Sequence, residues 1–122
     1  MAAPNLVNVT SILGKSMGAA LGTNTDTTIL ACPANKVLKI NSIIVANVDG
    51  TNSADLTVKF QDSSASSAYR LASTVAVPAD STLVVIGKDS PIYLEESDEI
   101  SAGASASSDL EIVISYEELD DA

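Results

Sequence analysis

Residues 93 to 100, YLEESDEI, hold the densest group of chemically active side chains in this 122-residue chain. Four carboxylates fall within five consecutive positions: Glu95, Glu96, Asp98 and Glu99. A glycosidase needs two carboxylates that face each other across a substrate cleft, whereas these four share one short turn. Oxygen-rich turns bind calcium, but neither EESDE nor the turn DGTNSAD matches an EF-hand loop. We therefore expect an acidic surface turn between two strands, with divalent cation binding as the alternative.

The rest of the chain offers little catalytic chemistry. It contains no histidine, which excludes a serine triad, a histidine metal site and imidazole acid–base catalysis. Cys32 has no second cysteine to pair with and is expected to be a small buried hydrophobe. Gly14 and Gly18 lie on either side of Lys15, whereas in a phosphate-binding P-loop the glycines precede the lysine. These residues therefore do not form a P-loop motif. We predict no enzyme, no catalytic residue, no cofactor and no required metal.

Alternation of apolar and polar residues with a period of two predicts the elements around the acidic turn. Three runs of alternating residues each place their apolar side chains on one face of a predicted strand. These faces are Leu56, Val58 and Phe60 in the first run, Tyr69, Leu71, Val75 and Val77 in the second, and Leu110, Ile112, Ile114 and Tyr116 in the third. In the longest run, Leu38, Ile40, Ile44 and Ala46 are predicted to share a face. Each pattern is typical of a half-buried antiparallel strand. Leu94 and Ile100, on either side of the acidic turn, should point inward.

Turn-forming clusters separate these strands. DGTNSAD, QDSSASS, VPADST and GASASSD have the spacing expected between the strands of a sandwich. DGTNSAD is predicted to be a hairpin, because Asp-Gly favours the positive φ of tight turns. KSMGAALG, residues 15 to 22, is the one segment considered for a short helix. The predicted fold is all-β: an antiparallel β-sandwich, jelly-roll or immunoglobulin-like, of about seven or eight strands.

The N-terminal segment departs from this pattern. Residues 1–25 are rich in Asn, Ser, Thr, Gly and Ala and are predicted to form an arm, or a first strand and loop, before a sandwich domain at residues 26–122. Its apolar residues lie on both faces of an extended chain, more than a solvated tail tolerates. They are the predicted partner-docking residues: Leu6, Val7, Val9, Ile12 and Leu13.

Charge is segregated along the chain. Residues 1–88 carry six basic and five acidic side chains, whereas residues 89–122 carry no basic and eleven acidic ones. The net charge of −10 disfavours binding to the phosphate backbone of a nucleic acid. No stretch approaches the roughly 20 apolar residues of a membrane span. We predict neither a nucleic-acid nor a membrane partner, and expect the acidic third to face solvent or a basic partner surface.

The chain resembles a family of small virion structural proteins of tailed bacteriophages. The resemblance rests on PNLVNVTSILGK, TILACPANKVLKINSIIVANVDG, TVAVPADSTLVVIGKDSPIYLEESDEI and SASSDLEIVISYEEL, which together cover nearly all of the sequence. Many relatives have a glycine where Ser97 stands, a difference that concerns turn conformation only. The resemblance implies a non-enzymatic particle component made in the cytoplasm of a host bacterium and located on the virion.

Three positions on the particle are compatible with the resemblance. The favoured one is a decoration, or cement, protein on the outer capsid surface, bound to the major capsid protein and stabilising the shell. It would contact other virion proteins or copies of itself, as a homo-oligomer such as a trimer. The alternatives are a neck or collar protein and a tail fibre-associated protein. A glycan-binding module is a more remote alternative, because small β-sandwiches often bind carbohydrate but this chain has few aromatic residues.

Overall fold

The computed structural model describes residues 6–7 and 11–120, and all of the regular elements in this part of the chain are strands. They are β1 (Ile12–Ala20), β2 (Thr28–Ala31), β3 (Lys36–Asn47), β4 (Ala54–Asp62), β5 (Ser67–Val77), β6 (Thr82–Ile86), β7 (Ile92–Leu94), β8 (Glu99–Ala104) and β9 (Leu110–Asp120).

The strands form two antiparallel sheets packed face to face. The five-stranded sheet has the order β1-β9-β3-β6, with β7 also paired to β3, and the four-stranded sheet has the order β2-β8-β4-β5. This arrangement is that of a jelly roll, in which the short strands β6 and β7 together occupy the place of one strand. The predicted antiparallel β-sandwich is confirmed, with nine strands within the described residues.

The inward faces of both sheets form one apolar core. Strand β9 contributes Leu110, Ile112 and Ile114, all fully buried as their alternation predicts. Leu94 and Ile100 are also fully buried, which confirms their predicted inward orientation. Because β9 lies between β1 and β3, the chain's C-terminal strand is central to the five-stranded sheet.

A β-bulge in β3 overturns part of the predicted face pattern. The register between β3 and β9 shifts between Ile40 and Ser42. An extra residue in one strand moves every later side chain to the opposite face. Ile40 is therefore buried, but Ile43 and Val45 are the next inward residues, and Ile44 lies on the outer face. The prediction that Ile44 shares a face with Ile40 is wrong.

The predicted face of β5 is wrong in part, for the same reason: Val77 is buried and Leu71 packs against the core, but Tyr69 and Val75 do not. Register shifts on both sides of Val58 interrupt its pairing with β4, and Ala72 and Val77 are the buried residues of β5. Tyr69 and Val75 are exposed. Phe60, predicted to be a core residue, is half-buried and packs against the core. Its truncation should therefore destabilise the fold less than that of a fully buried aromatic residue.

Two local predictions are corrected by the topology. KSMGAALG is not helical, because residues 15–20 continue β1. DGTNSAD is not a hairpin: it connects β3 of one sheet to β4 of the other. Gly50 in this turn does not have a positive φ. The Asp49 carboxylate instead accepts backbone hydrogen bonds from Thr51 and Asn52, and these bonds, the one from Thr51 foremost, lower the pKa of Asp49.

The segment before residue 26 is attached closely to the sandwich. Strand β1 pairs with β9 from Ile12, opposite Leu119, to Ala20, opposite Glu111. Leu21, directly after it, is fully buried and belongs to the core. Residues 12–20 are therefore the edge strand of the five-stranded sheet, and residues 21–27 are the loop that leads to β2.

Candidate functional site

The acidic turn between β7 and β8 is built around one buried carboxylate. Asp98 is only 2% exposed, so its carboxylate does not lie in solvent as the sequence suggested. It accepts hydrogen bonds from the backbone N–H of Ser63, at 2.9 Å, and of Glu95, at 3.0 Å. The backbone N–H of Cys32 donates to the Asp98 carbonyl at 2.9 Å. Asp98 therefore joins three separate segments of the sandwich and has a structural role.

Two neighbouring carboxylates are also engaged by the protein. The backbone N–H of Asn35 donates to Glu96 at 2.9 Å, and the Thr28 hydroxyl donates to Glu99 at 2.7 Å. Ser97 has a φ of 73°, a left-handed conformation that glycine adopts more easily. Within residues 6–7 and 11–120, no group of three or more potential metal-ligating side chains is arranged to hold an ion.

The predicted docking residues lie at or before β1, the edge strand of the five-stranded sheet among the described residues. Ile12 and Leu13 begin β1 and are 61% and 47% exposed, respectively. Leu6 and Val7 are also exposed, and Val9 lies outside the described residues. Strand β1 ends the order of its sheet, and an edge strand presents unpaired backbone groups to a partner. The structure thus places exposed apolar side chains beside an edge able to accept another strand.

Charges that are segregated in the sequence are brought together by strand pairing. Lys15 on β1 forms an ion pair with Glu118 on β9 at 3.2 Å, and Lys36 on β3 forms one with Asp120. The hydrogen bond to Asp120 is the main cause of a raised pKa for Lys36. Part of the acidic third is therefore neutralised by the chain itself and does not present one uniform negative surface.

The outer face of the five-stranded sheet carries a feature that the sequence did not reveal. Val113 of β9 pairs with Ile44 of β3, which in turn pairs with Val84 of β6. All three side chains are exposed. They form an apolar row across three strands, ending opposite Gly18 of β1. The bulge in β3 turns Ile44 outward, so uniform alternation along the sequence could not have predicted this row.

Beside the apolar row lies a cavity of about 430 Å³, here called the lysine pocket. Its lining residues come from β3, from β9 and from the connection between β6 and β7: Lys39, Asn41, Ser42, Lys88 and Glu117. Neither lysine forms an ion pair within the described residues. Sequence patterns did not identify these residues, because the two lysines are 49 positions apart and meet only through the strand order.

A second concave region, of about 520 Å³, lies beside the turn that connects β4 and β5. It is polar, and its lining includes Ser63, Ser66 and Ser97 together with the carboxylates of Asp62 and Glu99. The Asp62 carboxylate accepts a hydrogen bond from the Ser64 hydroxyl at 2.9 Å. The Thr28 hydroxyl donates to Glu99. Both carboxylates therefore already take part in local hydrogen bonding.

We expect Cys32 to be inert in the native protein. Its side chain is 4% exposed, which confirms the predicted burial, and this burial is the main cause that raises the pKa of the thiol to about 11. Since the thiolate is the reactive form, Ellman's reagent at pH 8 should label Cys32 only after the chain is unfolded in denaturant. Labelling of the native protein at the rate of a free cysteine would contradict the assigned burial.

No protein-family model, curated protein or solved structure matches this chain significantly. The resemblance to virion proteins stays a hypothesis, and support for a function comes from the geometry of the described residues. Among these residues there is no helix with the length and apolarity required to cross a membrane.

Proposed function

We propose that this protein is a non-enzymatic structural component of a tailed-bacteriophage particle, and specifically a decoration protein on the outer capsid surface. The observation that carries the proposal is the position of β1 at the edge of its sheet, within the described residues, together with its exposed apolar residues Ile12 and Leu13. An exposed edge with apolar side chains favours strand addition by a partner chain. Here the partner is the major capsid protein or a second copy of this protein.

Two further considerations support a structural role. Jelly rolls recur in viral capsid and lectin domains, although an analogy of fold alone does not establish function. The acidic turn contains the carboxylates that the sequence suggested for catalysis or cation binding. Some of these carboxylates instead accept backbone hydrogen bonds that hold the turn in place. Binding to the assembled shell would stabilise it by mass action, because the protein binds the native arrangement of its subunits.

In this proposal, docking occurs through the N-terminal edge. The backbone groups on the free side of β1 pair with a strand of the partner, and Ile12 and Leu13 become buried against it. Lys15, on the same strand, is held by Glu118 of β9. A single charged residue of this kind discourages indiscriminate edge pairing. The selectivity of docking would then come from apolar contacts at the start of β1.

The copy number on purified particles tests the proposed position. Quantitative mass spectrometry should find on the order of hundreds of copies per virion, as expected for a protein repeated over an icosahedral shell. About a dozen copies or fewer would indicate the neck, collar or tail-fibre position, since these structures have low rotational symmetry. Absence from the particle would overturn the proposed function altogether.

Re-addition to particles that lack the protein tests the proposed docking edge. The double substitution Ile12→Ser and Leu13→Ser should reduce binding by about tenfold or more, because it removes exposed apolar surface from the edge. The matched control is Val48→Ser, which removes an exposed apolar side chain from the loop after β3. This control should bind normally. Unchanged binding of the double variant, with an unchanged melting temperature, would contradict docking through β1.

A further inference from the structure

We propose that the lysine pocket on the outer face of the five-stranded sheet binds an acidic saccharide, a sugar that carries a carboxylate. This activity is additional to the decoration role and does not depend on it. The charge of the pocket favours an anionic ligand. Lys39 and Lys88 converge on the pocket although the chain has only six basic residues and a net charge of −10. Both are without an ion pair in the described part of the chain. Glu117 lies directly opposite Lys39 on β9, so the two lysines leave the pocket with a net positive charge for an anionic ligand.

The polar groups of the pocket favour a ligand with hydroxyl groups. Asn41 supplies an amide, Ser42 a hydroxyl and Glu117 a carboxylate to the same cavity. The Asn41 amide donates to one oxygen of Glu117 at 3.2 Å, which orients that carboxylate. A ligand matched to this set needs an anionic group for the lysines and hydroxyl donors for Glu117. Acidic sugars carry both, whereas an acidic peptide would bring its carboxylates towards Glu117 without hydroxyls to satisfy it.

An aromatic side chain, Tyr93, lies next to one of the pocket lysines, although it is not itself a lining residue. Tyr93 of β7 pairs directly with Lys39 of β3, and directly paired residues share a face of the sheet. The Tyr93 side chain is 47% exposed. An exposed aromatic ring on the same face as Lys39 offers an apolar surface to a ligand held by the polar lining of the pocket. The pocket volume of about 430 Å³ is within the range of small-molecule sites.

The β3 bulge explains why the pocket exists at this position. The register of β3 against β9 shifts between Ile40 and Ser42, so both Asn41 and Ser42 contribute to the cavity on the outer face. Bulges often redirect side chains at functional sites. Lys88 reaches the same place from the connection between β6 and β7, the two strands that pair with β3 on either side of the bulge.

Titration of the full chain with defined sugars tests the proposal. Glucuronic acid and N-acetylneuraminic acid should shift the amide NMR signals of residues 39–42, 88 and 117, whereas glucose should bind at least about tenfold more weakly. Binding should weaken as salt is raised, because the lysine charges are screened. Equal binding of glucose and glucuronic acid would overturn the role of the lysines. Absence of any shift at millimolar sugar would overturn the site.

Matched variants localise the interaction. Lys88→Gln should weaken binding of the acidic sugars by about tenfold, whereas Arg70→Gln removes the same charge from β5 in the other sheet and should leave it unchanged. Tyr93→Leu should also weaken sugar binding, because it removes the ring that lies next to Lys39 on the same face. A poly-glutamate peptide that binds better than either sugar, and is insensitive to Tyr93→Leu, would overturn the saccharide assignment in favour of an acidic peptide.

Discussion

Replacing Gly103 with alanine is expected to destabilise the protein by about 1–3 kcal/mol, because the added methyl group has no room. A Cβ atom at this position would lie 2.7 Å from the Cα of Thr25 and 2.8 Å from the carbonyl oxygen of Asn24. Both contacts are with backbone, so no side-chain rotation relieves them. Either β8 or the loop at residues 21–27 has to move.

That loop is held against the four-stranded sheet by several contacts. The backbone N–H groups of Ala102 and Ala104 donate to the carbonyls of Thr27 and Gly22, at 3.1 and 2.9 Å. The ammonium group of Lys59, a residue only 8% exposed, pairs with the Asp26 carboxylate. The hydrogen bond from Lys59 is the main cause that lowers the pKa of Asp26. Displacing the loop would therefore weaken hydrogen bonds and an ion pair together.

Denaturant unfolding of matched variants measures the effect. Gly14→Ala is the control, because no heavy atom lies within 4 Å of a Cβ added there; it should change stability by less than about 0.5 kcal/mol. If Gly103→Ala displaces the loop, adding Asp26→Ala in that background should have a smaller effect than Asp26→Ala alone. Strict additivity, or a Gly103→Ala variant as stable as wild type, would show that the loop does not depend on this close approach.

Removing the Asp98 carboxylate is expected to destabilise the protein by about 2–4 kcal/mol, because two charge-assisted hydrogen bonds to backbone N–H groups are lost. Asp98→Ala eliminates the acceptors for Ser63 and Glu95. Asp98→Asn retains one acceptor oxygen and should have an intermediate effect. The backbone hydrogen bond from Cys32 to Asp98 transmits the change to the end of β2. The measurement is the free energy of unfolding at pH 7.

The control for Asp98 is its neighbour Glu95. Glu95→Ala removes the same charge from the same turn but leaves the Glu95 backbone N–H in place, and it should change stability by less than about 0.5 kcal/mol. The sign of the stability change in Asp98→Ala also distinguishes a structural role of this carboxylate from a functional one. Side chains retained for binding or catalysis often reduce stability, so removing one tends to be neutral or stabilising. If Asp98→Ala stabilises the protein, the Asp98 carboxylate has a functional role and not a structural one.

The pKa values of Asp26 and Asp49 are both lowered in the folded protein, so both groups make stability fall as the pH becomes acidic. A carboxyl group whose pKa is lower in the folded state stabilises the fold above its unfolded-state pKa, and this contribution is lost as the pH falls through its folded-state pKa. Both groups therefore favour the folded state at neutral pH. Both lie in connections between strands, so acid should first weaken the anchoring of these connections.

Local patterns in the sequence were sufficient to determine the class of fold. Alternation in DLEIVISYEE assigned Leu110, Ile112 and Ile114 to the core correctly, because a regular strand exposes and buries alternate side chains. The same rule placed Leu94 and Ile100 inside on either side of the acidic turn. The absence of histidine is a property of composition and needed no structure to exclude imidazole chemistry. Turn-forming clusters were enough to separate most of the strands.

The tertiary structure decided what depends on register and on contacts between distant segments. A bulge adds one residue without a distinctive local sequence, and it turned Ile44 from the predicted core to the outer face. The burial of Asp98 depends on the backbone of Ser63, 35 positions away, and the lysine pocket depends on the order of β9, β3 and β6. Alternation describes only one strand at a time, whereas hydrogen bonding between strands sets the register that brings these groups together.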